Sequence, residues 1–478
     1  MSNWFVYLSV FEELYDEVIS KILEEKSISK PIGFLYSKAQ SKRVDLENYY
    51  QLDVFSSIVE QSIEHEPNLD LIRDYEDKFF TSSLSLIIFA DRHIGYSDKY
   101  SYKQKLSLIE LTFKYAISLV ENNELKFAWF ESISGFVSYI LYLVFKESGV
   151  KICAVETGRF PGKLAVTDNK NLLWDGVEEE ISKISSGSHV SEEETQQAID
   201  FIKEYREVLP VPTAYSKKYL PRIRIKDLFL WYKWFRDYFS DNHGMVTTSP
   251  VVMLLRKFKR IIRSFLANRL FEKVDDNELG DFVFFPLHFQ PEATTLVCAP
   301  HCLNQVSVIE DIAKSLPVGC KLVVKEHHDS IGRRRIRDYL DIKTNWNVVL
   351  VGPKDNSLEL VKKCKGVVTI TSTVGLQALL LRKPVIALAR VSYDACPAVV
   401  RASDCSKEGL NELIVNALDV PIREKDVINF CIAVNRKLTD SNGIILNHPL
   451  YQDEVTEIEN IKKISKVIKA DLLNSIKK

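Results

Sequence analysis

The sequence predicts an α/β protein made of two doubly wound, parallel-sheet units separated by a basic helical stretch. Three observations predict it. Apolar strand-like runs alternate with amphipathic helical runs in both halves of the chain. At 478 residues the chain exceeds what one hydrophobic core usually holds. Between 190 and 280 the composition shifts to helix formers, aromatics and basic residues, which separates the two alternating regions.

The clearest stretch is 366–388, GVVTITSTVGLQALLLRKPVIAL. A β-rich run over 367–371 meets Ser372, Thr373 and Gly375, an apolar helical run follows, and a second β-rich run comes after Pro384. Where such a strand gives way to a helix, several backbone N–H groups are left unpaired with the helix dipole behind them, so an anion fits. Ser372 or Thr373 would cap the helix and also donate to a phosphate oxygen. The plainer alternative makes them only an N-cap, with Gly375 there for close packing.

Taken in order, 4–10 reads as a strand, 11–25 as an amphipathic helix and 32–36 as a second strand, a β-α-β opening. From 38 to 80 the pattern is polar and supports nothing beyond short helices. The run LSLIIFA at 84–90 reads as a buried strand, and a long helix is expected over 102–122. A strand at 126–130 ends at Glu131, a helix covers 133–147, and a strand at 151–155 ends at Glu156. Ligands of doubly wound sheets sit outside the carboxyl ends of the strands, which draws attention to Asp91, His93, Glu131 and Glu156.

In the second region, strands are expected at 282–286, 321–325, 347–351, 366–371 and 384–388. The helices between them fall at 303–315, 332–341, 356–363 and 374–381. After Pro421 the remainder reads as helical, with a Lys-rich helix over 453–476 at the end.

Between the regions, 217–273 carries 14 Lys/Arg against 4 Asp/Glu. Within it, 251–271 gathers Leu254, Leu255, Phe258, Ile261, Ile262, Phe265 and Leu266 on one helical face, with Arg256, Lys257, Lys259, Arg260 and Arg263 largely on the other. A basic amphipathic helix of this kind can lie in an anionic membrane interface. The alternative is a linker helix packed on the protein with its basic face solvated.

A formal net charge of −2 supplies no global field for nucleic acid. The eight cysteines form no C-x-x-C pair, which argues against a zinc site and a disulfide framework and for reduced thiols in a cytoplasm. The opening MSNWFVYLSVFEELYDEVISKI lacks a basic region before its apolar run, so a first strand and helix are expected there rather than a signal peptide. No apolar run approaches bilayer-spanning length. The expected location is cytoplasmic, peripheral on the inner membrane.

Three strand-end loops carry the candidate chemistry. In FFPLHFQPEATT, His288, Gln290 and Glu292 crowd past a buried strand, where polar groups are costly to desolvate unless they face a cleft or find partners. In KLVVKEHHDSIGRRR, Lys325, His327 and His328 are expected beside a helix that begins near Ile331, an assembly suited to a diphosphate or phosphodiester. The loop NVVLVGPKDN lies on the same edge. No third or fourth ligand at regular spacing accompanies the two histidines, so no metal is expected. The loops also lack the basic and aromatic interleaving of a nucleic-acid groove.

PLHFQPEATT, then VVKEHH-x-x-x-G-R, then VVTITSTVGLQALLLRKPVI resembles the capsule polysaccharide synthesis family of bacterial glycosyltransferases, which includes the β-Kdo transferases. The resemblance covers 282–390 well and the amino-terminal half only through AVETGRFPGKLAVTD. It implies a GT-B architecture, with two Rossmann-like domains facing across a cleft, a basic helical linker and C-terminal helices. The boundaries expected are an acceptor domain at 1–215, the linker at 216–280, a nucleotide-sugar domain at 281–440 and a C-terminal helix at 441–478.

By the same resemblance, His327 matches the histidine of the family's Lys-x-His-Pro segment, while Ser372 and Thr373 match its hydroxyl turn. His288, Gln290, Glu292, Lys325 and Gly375 complete the expected donor-binding set, with no cofactor or metal. His328 stands where the family usually has proline, and Gln377 where it usually has glutamate, so phosphate and ribose contacts differ in detail. The implied reaction moves a sugar, foremost Kdo or a related 2-keto acid from its CMP donor, onto a glycan or lipid-linked acceptor. It needs a carboxylate from the amino-terminal domain, with Glu156 first and Glu131 and Asp91 as alternatives. A UDP-sugar 2-epimerase and a catalytically silent glycan-binding or scaffold member remain the other readings.

Overall fold

The computed structural model describes residues 3–9, 12–79, 83–91, 94, 99–157, 160, 162–208, 229, 231–232, 235, 238, 249–273, 279–402, 409–440 and 454–476. The chain divides into two compact units: Met1–Asp175 with Trp234–Thr248 and Leu438–Lys478, and Gly176–Lys233 with Ser249–Lys437. Each is built on one parallel-rich sheet, the α/β make-up expected from the alternating pattern.

The first sheet contains β1 (Trp4–Leu8), β2 (Ile32–Leu35), β3 (Gln51–Val54), β4 (Phe127–Phe130), β5 (Lys151–Thr157) and β6 (Lys163–Thr167). The short β13 (Thr439–Asp440) completes the order β13-β6-β5-β4-β1-β2-β3. From β5 to β3 the neighbours run parallel, and β6 and β13 add antiparallel pairs at one edge. The inner strands WFVYL and FAWF are buried along their whole length, as strands covered by helices on both faces must be. The long helix Tyr102–Asn122 begins at a capping box in which Ser101 and Gln104 satisfy each other's backbone N–H groups. The final helix, Glu454–Ile476, returns to this sheet and buries Ile461, Ile464, Ile468 and Leu472 with Tyr15, Val18 and Trp129.

Four expectations are corrected in this unit. The run at 84–90 is a helix, Ser85–Phe89, with Ile87 and Ile88 buried and Phe89 exposed. A run this short has no distinguishing period, and here the Ala90 N–H bonds back to Leu86 and Ile87. Asp91 therefore follows a helix and does not end a strand. The polar region 38–80 holds β3 besides its helices, and β13 interrupts the helical carboxyl-terminal reading. Finally, β5 continues through Thr157 because β6 pairs with it, Glu156 opposite Ala165, so Glu156 lies within the strand. His93, Gly158 and Arg159 lie outside the described residues.

The second sheet contains β7 (Phe282–Pro286), β8 (Lys321–Lys325), β9 (Val348–Val351), β10 (Gly366–Thr369), β11 (Val385–Ala387) and β12 (Val399–Arg401). Its order is β12-β11-β10-β7-β8-β9 and every pair is parallel. Val283, Phe285, Leu322, Val324, Leu350, Val368 and Ile386 form one side of its core with Ile309, Ile312 and Ile414 from the helices. Only β12 escapes the sequence reading, because three residues are too few for alternation to show. No described helix is long and apolar enough to cross a membrane.

Candidate functional site at the carboxyl edge of the second sheet

At the carboxyl ends of β7, β8 and β10 three loops are tied together by side chains. His288, two residues beyond β7, accepts a hydrogen bond at Nε2 from the Thr371 N–H at 2.9 Å. Accepting at Nε2 places the ring proton of the neutral imidazole on Nδ1. Gln305 mimics a neighbouring strand: its Oε1 accepts from His288 N at 2.8 Å and its Nε2 donates to His288 O at 3.2 Å. Past β10, the Thr371 hydroxyl donates to Thr294 O, so the loop after β7 is held to the loop after β10 twice.

Glu326 closes β8 and is fully buried. Its carboxylate accepts from His327 N (2.6 Å), Arg334 Nε (3.1 Å) and the Tyr339 hydroxyl (2.5 Å). The same guanidinium donates from Nη2 to His288 O at 2.6 Å and to Gln305 Oε1 at 3.2 Å. Arg334 therefore clamps the β7 loop to the β8 loop, its charge answered by a buried carboxylate.

The helix expected from Ile331 begins only at Ile336, and turns occupy 328–334. That correction explains how Arg334 reaches Glu326, since turns fold it back over the strand end where a helix would carry it away. The turns are also fastened from outside. Helix Pro250–Ala267 donates from Arg260 to the carbonyls of Ile331 (3.1 Å) and Asp329 (2.9 Å), and from Arg263 to that of Arg333 (3.4 Å). Gly332, at φ +74°, permits this approach, because a Cβ there would lie 2.2 Å from Arg260 O.

His327 is half-buried, its ring 5.8 Å from that of Phe289, and its Nδ1 accepts from the Asp329 N–H at 3.2 Å. Its Nε2–H is thus the donor it offers. Burial, with His328 beside it, pushes its pKa down to about 3, so it meets a ligand as a neutral donor and not as the cation that a site of charged imidazoles would need. Lys325 is buried at the end of β8, and burial lowers its pKa to about 8 against the attraction of Asp355 and Glu326. Ser372 caps helix Thr373–Leu380 by accepting from Val374 N, its carbonyl accepts from the Tyr393 hydroxyl, and Thr373 is exposed on the first turn. Gly375 has a packing duty, since a Cβ there would meet the Tyr393 hydroxyl at 2.2 Å. Gln290 donates to Leu303 O, and the exposed Glu292 accepts from the Thr294 hydroxyl.

Among the described residues, His327, His328 and Asp329 place ligand atoms within 4.8 Å of one another. Those atoms are already engaged among themselves, through the Asp329 N–H to His327 and a 3.0 Å contact between His328 Nε2 and Asp329. An open groove of about 720 Å³, lined by Pro384, Pro397, Leu413 and Ile422, lies at the opposite ends of β11 and β12. It is not part of this edge.

The buried His288 carries a pH prediction. Burial, and secondarily the charge of Arg334, pushes its pKa down to about 3. Between the ordinary histidine value and that one, the unfolded chain binds a proton that the folded chain refuses, so stability falls as pH falls through this window. By pH 5 the loss is on the order of 2 kcal/mol. The drop in Tm between neutral pH and pH 5 should be shallower in His288→Asn than in the wild type. Equal slopes would show that His288 titrates normally.

In the first unit Asp91 and Glu131 come together around Tyr7, whose pKa is raised by burial first and then by both carboxylates. Asp91 accepts from Ile94 N (3.0 Å) and from Phe136 N (3.3 Å) at the start of helix Phe136–Glu147, and Glu131 accepts from Ser9 N (2.7 Å). Sequence reasoning missed Gln305, Arg334, Tyr339 and Thr371 as site residues. Arg334 alone had a signal, as the middle of three consecutive arginines that follow a strand-end glutamate.

A family model described as "Capsule polysaccharide biosynthesis protein" matches residues 220–397, which include all three loops. No curated protein matches the chain. Among solved structures, the β-Kdo 2,7 transferase of Thermosulfurimonas dismutans KpsC is 11% identical, covering 74% of this chain and 89% of its own, with a TM-score of 0.37. The β-Kdo 2,4 transferase of the same KpsC is 14% identical over 65% and 88%, with a TM-score of 0.34. The UDP-GlcNAc 2-epimerase of Neisseria meningitidis is 12% identical over 98% and 100%, with a TM-score of 0.28. At such identities and scores, nothing about activity passes from those proteins to this one.

Proposed function

We propose that this chain is a glycosyltransferase of capsule polysaccharide synthesis that moves Kdo, or a related 2-keto sugar, from a CMP-activated donor onto a surface polysaccharide or lipid-linked glycan. The observation that carries the reading is the Thr371–His288 bond, which joins two strand-end loops inside the segment matched by the capsule family model. Ring contact of Phe289 with His327 adds the third loop to the same edge. The nucleotide phosphate then lies between His327 and the Ser372/Thr373 turn, where neutral N–H and O–H donors meet a helix N-terminus. His288, Gln290 and Gly375 shape the loops around it, Lys325 supplies positive potential from the strand end, and Glu292 faces the sugar side. The catalytic carboxylate is assigned to the first unit, with Glu156 foremost.

Incubation with CMP-Kdo and with UDP-GlcNAc, separately, tests the reading. Transfer of Kdo or hydrolysis of its donor supports it, whereas epimerisation of UDP-GlcNAc, or inertness toward both, overturns it. His327→Ala is expected to weaken nucleotide binding by about 1 to 3 kcal/mol, the worth of a hydrogen bond to a charged acceptor. Calorimetry on His327→Ala and Ser372→Ala checks the placement, and unchanged affinity in both would remove the phosphate from this turn. Far-UV circular dichroism accompanies the serine variant, because losing the cap costs the helix about 1 kcal/mol.

A further inference from the structure

The basic helix Pro250–Ala267 packs the opposite way from an ordinary surface helix. Arg260, Ser264 and Ala267 face the protein, with Ser264 and Ala267 buried and Arg260 holding the turn after His327. The apolar stripe looks outward: Val251 is 54% exposed, Leu255 62%, Phe258 47%, Ile262 62% and Phe265 58%. Burying apolar side chains is what ordinarily fixes a helix on its domain, so a contiguous stripe left in water marks a docking surface.

We propose that this stripe lies in the interface of an anionic bilayer. Charge decides the occupant. The helix, PVVMLLRKFKRIIRSFLA, contains no Asp or Glu, and Arg256, Lys259 and Arg263 flank the stripe on one side. A second copy docking through the same face would set these cations against their own kind, whereas anionic headgroups answer them while the acyl boundary takes up Leu255, Phe258 and Ile262. At the amino-terminal end, Trp231 donates to Pro250 O at 3.1 Å, and the neighbouring Phe229 and Tyr232 are 73% and 65% exposed. Aromatics of this kind favour the headgroup level. The inner face of the helix grips the carbonyls of Asp329, Ile331 and Arg333, so one rigid element joins the bilayer contact to the His327 loop.

The test needs no sugar donor, so its failure and that of the glycosyltransferase reading are separable. Full-length protein is sedimented with phosphatidylcholine vesicles, with and without phosphatidylglycerol, at low and high salt. Wild type should bind the anionic vesicles at low salt, with affinity falling by about tenfold or more in high salt or without phosphatidylglycerol. Leu255→Glu combined with Ile262→Glu changes only exposed positions and should lower binding by at least about tenfold at unchanged circular dichroism and Tm. Wild type that stays in the supernatant with anionic vesicles at low salt, or a double variant that binds as wild type does, overturns the proposal. So does light scattering that shows a wild-type dimer split by the double variant, since the stripe is then a contact between copies.

Discussion

Glu156→Gln is expected to lower turnover by several orders of magnitude while leaving nucleotide affinity nearly intact. The substitution keeps shape and removes charge, so it separates a catalytic carboxylate from one that only fills space. The structure changes the argument for this residue. Glu156 stands inside β5, past the last β4 pairing at Ala154 and paired with Ala165 of the antiparallel β6, so its backbone is held by β6. Such holding is what a positioned base or nucleophile requires. Its competitors are committed elsewhere, since Asp91 accepts two backbone N–H groups near the start of helix Phe136–Glu147 and Glu131 accepts the Ser9 N–H. A Gln variant that keeps more than about a tenth of wild-type turnover would attribute less than about 1.4 kcal/mol of barrier to the charge. The role would then pass to Glu131 or Asp91. Their amide variants should also melt earlier than wild type, because each carboxylate accepts hydrogen bonds from the backbone in the fold.

Glu326→Leu should destabilise the second unit by about 3 to 5 kcal/mol. Three donors converge on this fully buried carboxylate, and one of them is the charged Arg334. Removing the carboxylate leaves a guanidinium with little access to water and a Tyr339 hydroxyl without its acceptor, which is costlier than removing the whole cluster. Combining Glu326→Leu with Arg334→Met should therefore recover part of the loss, a coupling that thermal unfolding of the two single variants and the double variant measures. If the single variant loses less than about 1 kcal/mol, Arg334 finds its counterion elsewhere and the clamp between the β7 and β8 loops is not what holds this edge.

The second sheet was legible almost residue by residue. Its strands FVFFP and KLVVK are buried parallel strands whose continuous apolar runs match their setting, so local pattern and tertiary environment agree. The candidate binding loops were legible for the same reason, because they fall where such strands end. Their partners were not. Glu326 and Arg334 of one loop, Gln305 and Thr371 come from three segments, and no spacing in the chain announces that Arg334 turns back to a strand end eight residues earlier.

The first unit shows the opposite case. Its run LSLIIFA has the composition of a strand and the fold makes it a helix, because a stretch of this length takes whichever hydrogen bonds its surroundings leave open. By itself the sequence determined that this is an α/β chain with two alternating regions, a strand-to-helix turn capped at Ser372, and an amphipathic basic helix over 251–271. Which face of that helix meets the protein was a tertiary decision. Gly332 admits the helix backbone and the carbonyls of the 329–333 turn take Arg260 and Arg263, so that face is held inward by hydrogen bonds, while the apolar stripe, with the exposed Arg256 and Lys259 beside it, is left facing out.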